Sequence, residues 1–198
     1  DFNIFHSVIN KKTLLCFYNI FKMDFSVVIP SYNEYKNLKI LIPKINKTFS
    51  NYNFSYEILI ILKHNNNIKP KSICNNVVRV FRKNDNSFGS ALKTGIFESK
   101  GDYIITIDAD GSHNPEELEK IFDVYKNYDL ICFSRYVIGG DTQNQFILKF
   151  MSLALNLIFK YSFNLKIKDI SNNFKIYKSS LLKKLKLNSK NFDIIEEI

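Results

Sequence analysis

Apolar residues fall into short continuous runs along the chain, and amphipathic stretches separate them. The runs are SVVIP (26–30), EILIIL (57–62), VVRVF (77–81), DYIITID (102–108) and DLICFS (129–134). Unbroken apolar runs of this kind predict strands buried on both faces, as in a parallel sheet. Over 34–49 the period changes, and Leu38, Leu41, Ile42, Ile45 and Phe49 fall on one helical face. Pro43 lies inside that pattern and is expected to kink or split the helix, because it removes a backbone donor. A second helix is predicted over 90–99, entered through Ser87-Phe88-Gly89. A third starts at Asn114-Pro115-Glu116-Glu117, which offers an N-cap amide, a proline for the first helical position and a glutamate three after the cap. Its apolar stripe is Leu118, Ile121, Phe122 and Tyr125. A long amphipathic helix is predicted over 145–161, and the tail holds FKIY and a lysine-rich helix, SSLLKKLKL (179–187). Alternation of this sort predicts an α/β fold, a mostly parallel sheet flanked by helices on both faces.

Length changes the picture little. The 198 residues are 45% hydrophobic, enough for one sizeable core, and no repeat or interdomain linker divides them. Met23 stands directly before the first strand, whereas the chain begins with Asp1. Residues 1–22 are therefore expected to be an N-terminal extension outside the fold, and 23–198 the domain. The formal net charge of +9 fits nucleic acid, an anionic membrane surface or a phosphorylated ligand, or else a composition simply rich in Lys and Asn. No block of Lys and Arg interleaved with aromatics marks a nucleic-acid groove, so nucleic acid ranks last. Cys16, Cys74 and Cys132 are odd in number and widely spaced, which suits neither a zinc site nor a disulfide framework and fits a reduced, cytosolic setting. FMSLALNLIF (150–159) and TLLCFYNIF (13–21) are shorter than the ~20 residues a helix needs to cross a bilayer.

The stretch TIDADGSHNPEELEK (106–120) carries the most informative chemistry. Asp108 and Asp110 flank Ala109 where a strand gives way to a helix start. In open α/β sheets ligands bind outside the carboxyl ends of the strands, here 30–34, 108–113 and 134–140. Two carboxylates on a chain bending out of a strand can reach one divalent cation. Mg²⁺ and Mn²⁺ take such hard oxygens, often one or two carboxylates plus substrate phosphates. Alone, D-x-D is weak evidence and more often describes a solvated turn before a helix cap.

The pair has company. VVIPSYNE (27–34), FGSALKTGIFESKGDYIITIDADGSHNPEEL (88–118), SRYVIGG (134–140) and DISNNFK (169–175) follow one another along the chain. In order and spacing these segments resemble the family 2 glycosyltransferases with the GT-A fold, and most of all the dolichol-phosphate (polyprenyl-phosphate) mannosyltransferases. The resemblance extends over 24–198. It implies a Rossmann-like nucleotide-sugar-binding domain. It also implies inverting transfer of a hexose, mannose or glucose, from GDP-mannose or UDP-glucose to a polyprenyl (dolichyl) phosphate, assisted by Mg²⁺ or Mn²⁺. By position, Pro30, Tyr32 and Glu34 would line the base and ribose. Asp108, Ala109 and Asp110 would sit at the ribose, diphosphate and metal, with Ser112 as a further group near the metal. Asp110 and Arg135 would be the catalytic residues. Arg135, with Lys149, Ser152 and Lys175, would hold the acceptor phosphate, which a planar guanidinium suits.

The resemblance further implies a peripheral position on the cytosolic face of a membrane, with an anchor left to a partner subunit or a C-terminal membrane segment. The chain is expected to be truncated near FDIIEEI (192–198). FILKFMSLALNLIFKYSF (146–163) pairs a broad apolar face with a few lysines, as an interfacial helix does; packing on the domain or on another subunit would use the same face. A lipid monophosphate is already anionic, so its oxygen would attack the anomeric carbon in line with the departing nucleoside diphosphate without a strong base. His113 is accordingly expected to be structural or to support a site residue from behind, not to act as acid or base.

Two departures from the resemblance stand out. Relatives carry an acidic pair after the second strand, one member accepting hydrogen bonds from the base; here Leu62 and Lys63 occupy that place and cannot accept. Asn65 or Asn66 could substitute. In SNNFK, Asn173 and Lys175 stand for a glycine and an arginine; Asn tolerates positive φ, and Lys keeps the charge without the fork. Two other readings stay open. Transfer to a glycan hydroxyl would need a carboxylate base, for which Asp141, Asp169, Glu196 and Glu197 are the candidates. A GT-A-like binding domain without catalysis would need none.

Overall fold

A computed structural model describes residues 23–63, 77–81 (backbone), 85–134, 154, 156–158 and 169–198. Six strands form one sheet: β1 (Met23–Ser31), β2 (Tyr56–Leu62), β3 (Val77–Phe81), β4 (Gly101–Thr106), β5 (Leu130–Cys132) and β6 (Lys175–Lys178). Their order is β3-β2-β1-β4-β6-β5. The first four run parallel, so the expected mostly parallel α/β sheet is present. FKIY supplies β6, which inserts antiparallel between β4 and β5.

Alternate residues of β1 feed opposite cores. Phe25, Val27 and Ile29 pack with Ile58, Ile60 and Ile105 under α1 (Tyr35–Ser50), whose Leu38, Leu41, Ile42, Ile45 and Phe49 make the predicted apolar face. Val28 joins Leu59, Ile61 and Ile104 under α2 (Phe88–Glu98), with Leu182 of α3 (Ser179–Leu182) and Ile194 and Ile195 of α4 (Ile194–Glu197). Pro43 does not split α1. It sits on the exposed face, where water can take the carbonyl that loses its intrahelical donor.

The predicted third helix takes a different form. Pro115–Ile121 and Tyr125–Asn127 are 3₁₀ turns, although Asn114 caps the first as expected by accepting from the Glu116 N–H at 3.3 Å. Leu118, Phe122 and Tyr125 are still buried. Their spacing of four and then three serves either helix type, so the pattern locates the stripe without choosing the pitch. The lysine-rich tail is α-helical only over Ser179–Leu182. Ala154 and 156–158 are helical, within the amphipathic helix expected over 145–161; the rest of it, and the extension 1–22, lie outside the described residues.

Candidate active site

Strand order reverses at β1, with β2 and β3 to one side and β4 to the other. The carboxyl ends of β1 and β4 therefore face a crevice of the kind that binds ligands in open sheets. Pro30 helps to open it. The β1–β4 ladder ends with the Ile107 N–H donating to the Val28 carbonyl at 3.1 Å, and the next donor along β1 would come from residue 30, which has none. Beyond this point the two strands part. β1 continues into Tyr32 and Asn33, the latter at φ 60°, and α1 begins after Glu34. Tyr32 is 55% exposed. Glu34 Oε2 accepts from Asn37 Nδ2 at 2.6 Å. The neighbouring Ser31 hydroxyl is buried with no hydrogen-bond partner among the described residues, a polar group left for a ligand or water.

On the other side the chain alternates as it leaves β4. Ile107 and Ala109 are buried, Asp108 is half-buried and Asp110 is exposed. Ala109 thus anchors the segment in the core while both carboxylates stay outside it. Asp110 Oδ1 accepts from the Ser112 N–H at 2.9 Å, closing a turn in which Gly111 has φ 83°. Apart from its chain neighbours, nothing among the described residues lies within 4 Å of where a Gly111 Cβ would stand, so its backbone conformation is what asks for glycine there.

Asp108 is held at both oxygens. Asn173 Nδ2 donates to Oδ1 at 2.8 Å and His113 Nε2 lies 3.1 Å from Oδ2. The His113 ring packs 5.4 Å from Phe174, which stacks on Phe133 at 4.1 Å. The loop carrying Asn173 is itself tied down: Thr106 Oγ1 donates to the Asn173 carbonyl, and Asn172 Nδ2 donates to the Phe133 carbonyl at 2.6 Å.

A profile of the family described as glycosyl transferase family 2 matches residues 26–186, which include every element of this crevice. The chain belongs to glycosyl transferase family 2. It is 31% identical over 186 residues to a dolichol-phosphate mannosyltransferase of Pyrococcus furiosus, covering 89% of this chain and 52% of that one. Against a dolichol-phosphate mannosyltransferase of Saccharomyces cerevisiae it is 27% identical over 124 residues, 59% of this chain and 46% of that one. The chain thus spans about half the length of these curated relatives. Among solved structures, glucosyl-3-phosphoglycerate synthase of Mycobacterium tuberculosis in complex with Mn²⁺, UDP and phosphoglyceric acid matches with a TM-score of 0.65 at 16% identity, over 88% of this chain and 62% of that one. The fold is the GT-A fold.

Within this family 2 domain, the expected site residues divide into groups. Pro30, Tyr32, Glu34, Asp108, Ala109, Asp110 and Ser112 all fall at the ends of β1 and β4, although Pro30 and Ala109 are buried. Arg135, Lys149 and Ser152 lie outside the described residues, as do Asn65, Asn66 and Asp141. Lys175 turns away from open space. It is 2% exposed, and its Nζ donates to the Ile195 carbonyl of α4 at 2.8 Å. Asp169 is buried against Asn156 and Ser171, and Glu197 accepts from the N–H groups of Asn188 and Ser189. Burial pushes the Glu196 carboxyl above its ordinary value, with Lys175 opposing.

At the departure after β2, Leu62 is buried beside Ser31, and Lys63 sets its Nζ 5.2 Å from the Tyr32 ring centroid. Asn173 is the residue whose placement the sequence did not reveal. Among the described residues with side chains the left-handed one is Asn33, and Asn173 contributes its amide instead of a backbone turn.

Burial holds the Lys175 amine below the usual lysine range, with Cys132, Glu196 and Asp169 opposing. The folded chain therefore binds this proton less tightly than the unfolded chain. Its contribution to stability improves with pH between the depressed folded value and the ordinary value of about 10.4. Lys175→Met removes the dependence. The melting temperature of the variant minus that of the wild type should fall as pH rises from about 7 towards about 10. A difference that stays flat over this range would mean that Lys175 is not desolvated.

Proposed function

We propose that this domain binds a nucleotide sugar in the crevice between β1 and β4 and transfers its hexose, with inversion, to a polyprenyl phosphate. The observation that carries the reading is the presentation of Asp108 and Asp110 at the strand split, one carboxylate clamped and the other exposed. Similarity to two proteins named dolichol-phosphate mannosyltransferase supports the lipid phosphate as acceptor. In the reaction an acceptor phosphate oxygen forms a bond to the anomeric carbon as the bond from that carbon to the nucleoside diphosphate breaks. The acceptor arrives ionised, so no carboxylate base is required.

The donor set is compatible with a hard divalent cation. Asp108, Asp110 and the Ser112 hydroxyl offer oxygens only, and among the described residues no group of three or more His, Cys, Asp or Glu side chains forms a full protein cage. A site of this type leaves positions for substrate phosphates. Mg²⁺ or Mn²⁺ held there by Asp110 would supply charge neutralisation for the leaving diphosphate. The chain's own contribution is to orient that carboxylate through the Ser112 N–H and to keep Asp108 in place.

A membrane surface as the place of work is supported by the helix that includes 156–158, where Asn156 is buried and Leu157 and Ile158 are 51% and 62% exposed. Among the described residues no helix is long and apolar enough to cross a membrane.

The testing experiment is transfer of labelled sugar from GDP-mannose and UDP-glucose to a short polyprenyl phosphate, with and without Mn²⁺. Product on the lipid, dependent on metal, is expected; product only on a glycan acceptor, or none with any donor, overturns the proposal.

Donor choice should depend on Lys63. An ammonium donates where an acid would accept from base N–H groups. Lys63→Asp is therefore expected to tighten GDP or UDP binding by about tenfold, the worth of a hydrogen bond to a charged group. Calorimetric titration of both nucleotides with Mn²⁺ present reads this directly. Unchanged affinity for both would place Lys63 away from the base.

A further inference from the structure

Nothing in the proposed chemistry accounts for why Asp108 has a protein partner on each oxygen. We propose that Asn173 is a positioning residue for the nucleotide–metal site, acting through Asp108; the inference rests on the function proposed above. Three observations carry it. The contact spans 65 residues of sequence and joins the end of β4 to the loop before β6. Asn173 is buried, 3% exposed, so its amide is committed to this bond and not to solvent. Its own backbone is anchored to β4 as well, through the Thr106 hydroxyl.

The clamp has a chemical consequence. A carboxylate offers about four lone-pair sites. The Asn173 amide takes one on Oδ1 and His113 one on Oδ2, which fixes the plane of the group and leaves its remaining lone pairs at set directions. A carboxylate already ordered loses little freedom when a cation or a ribose hydroxyl arrives. An unclamped one would have to be ordered at that moment. Outer partners of this sort are typically worth about 10–100-fold in metal affinity. Asp110 carries no such clamp: its one hydrogen bond among the described residues is the local turn to Ser112. The site therefore has one carboxylate held at both oxygens by other parts of the chain and a second held at one oxygen by its own turn.

The test titrates UDP and GDP into the protein in the presence of MnCl₂, by calorimetry, for wild type, Asn173→Ala, Asn173→Ser and Asn172→Ala. Asn172 is the control, because its side chain ties the same loop to the Phe133 carbonyl without touching Asp108. Asn173→Ala is expected to weaken Mn²⁺–nucleotide binding by about 10–100-fold, with Asn172→Ala within about twofold of wild type. Asn173→Ser, too short to reach Asp108, serves if the alanine variant does not fold and should weaken binding equally. Equal weakening by Asn172→Ala would assign the effect to loop integrity and overturn the inference. So would wild-type affinity in Asn173→Ala. Absence of Mn²⁺-dependent nucleotide binding by the wild type would overturn the proposed function and this inference with it, whereas wild-type binding unaffected by Asn173 overturns this inference alone.

Discussion

Asp110→Asn should lower kcat/KM for metal-dependent sugar transfer by about 10²–10³-fold, the cost of removing one group that stabilises charge on a departing diphosphate. The substitution is close to isosteric. The Asn amide oxygen can still accept from the Ser112 N–H, so the turn through Gly111 survives. Asp110 is exposed, and surface changes of this kind alter stability by no more than about 0.5 kcal/mol. The melting temperature should therefore stay where it was while turnover collapses. Part of the loss should return at high Mn²⁺ if metal affinity is what failed. Steady-state transfer to a polyprenyl phosphate over a Mn²⁺ series measures both. Wild-type turnover in the variant would remove Asp110 from the chemistry. A large fall in melting temperature would recast it as a structural residue.

The acids were legible because they sit at the end of a strand that the sequence marks plainly. β1, β2 and β4 carry buried residues on both faces, and a buried parallel strand is written as an unbroken apolar run. For DLICFS (129–134) the ladder covers Leu130–Cys132, and one backbone hydrogen bond at either end, from the Lys178 N–H to the Asp129 carbonyl and from the Phe133 N–H to the Phe174 carbonyl, carries the pairing beyond it. The direction of β6 was not legible, because strand sense depends on where the chain has been and not on its own residues. Lys175 carries a lesson about alternation. It shares a face with Tyr177 under the period of two, and Tyr177 is in the core, so FKIY already placed a lysine inward. The match to a phosphate-binding position drew the expectation outward instead. The Asn173–Asp108 bond was beyond any local pattern, because its partners meet only once β6 pairs with β4.

Phe25→Ala should have the opposite signature, with stability lost and chemistry spared. Phe25 is fully buried at the amino-terminal part of β1, remote along the strand from the crevice at its carboxyl end. Its ring centroid lies 4.8–6.1 Å from those of Phe49, Phe54, Tyr103, Phe122 and Tyr125. These five come from α1, the turn before β2, β4 and the 3₁₀ segment, so one side chain joins every layer on that face. Deleting it leaves a cavity lined by rigid rings that collapse poorly, and a cost of about 3–5 kcal/mol is expected. Against a total of about 5–15 kcal/mol, that is a large share. At about 2–4 °C per kcal/mol for a domain of this size, the melting temperature should fall by about 6–20 °C. The folded fraction should bind nucleotide as the wild type does, because the Pro30 strand split and the Asp108 clamp lie at the other end of the sheet. Thermal melting followed by circular dichroism, with nucleotide titration well below the transition, separates the two effects. A fall of less than about 3 °C would show that the aromatic cluster repacks around the missing ring. Intact stability with weakened nucleotide binding would show that the crevice is coupled to the far end of β1, which the geometry of the ladder gives no reason to expect.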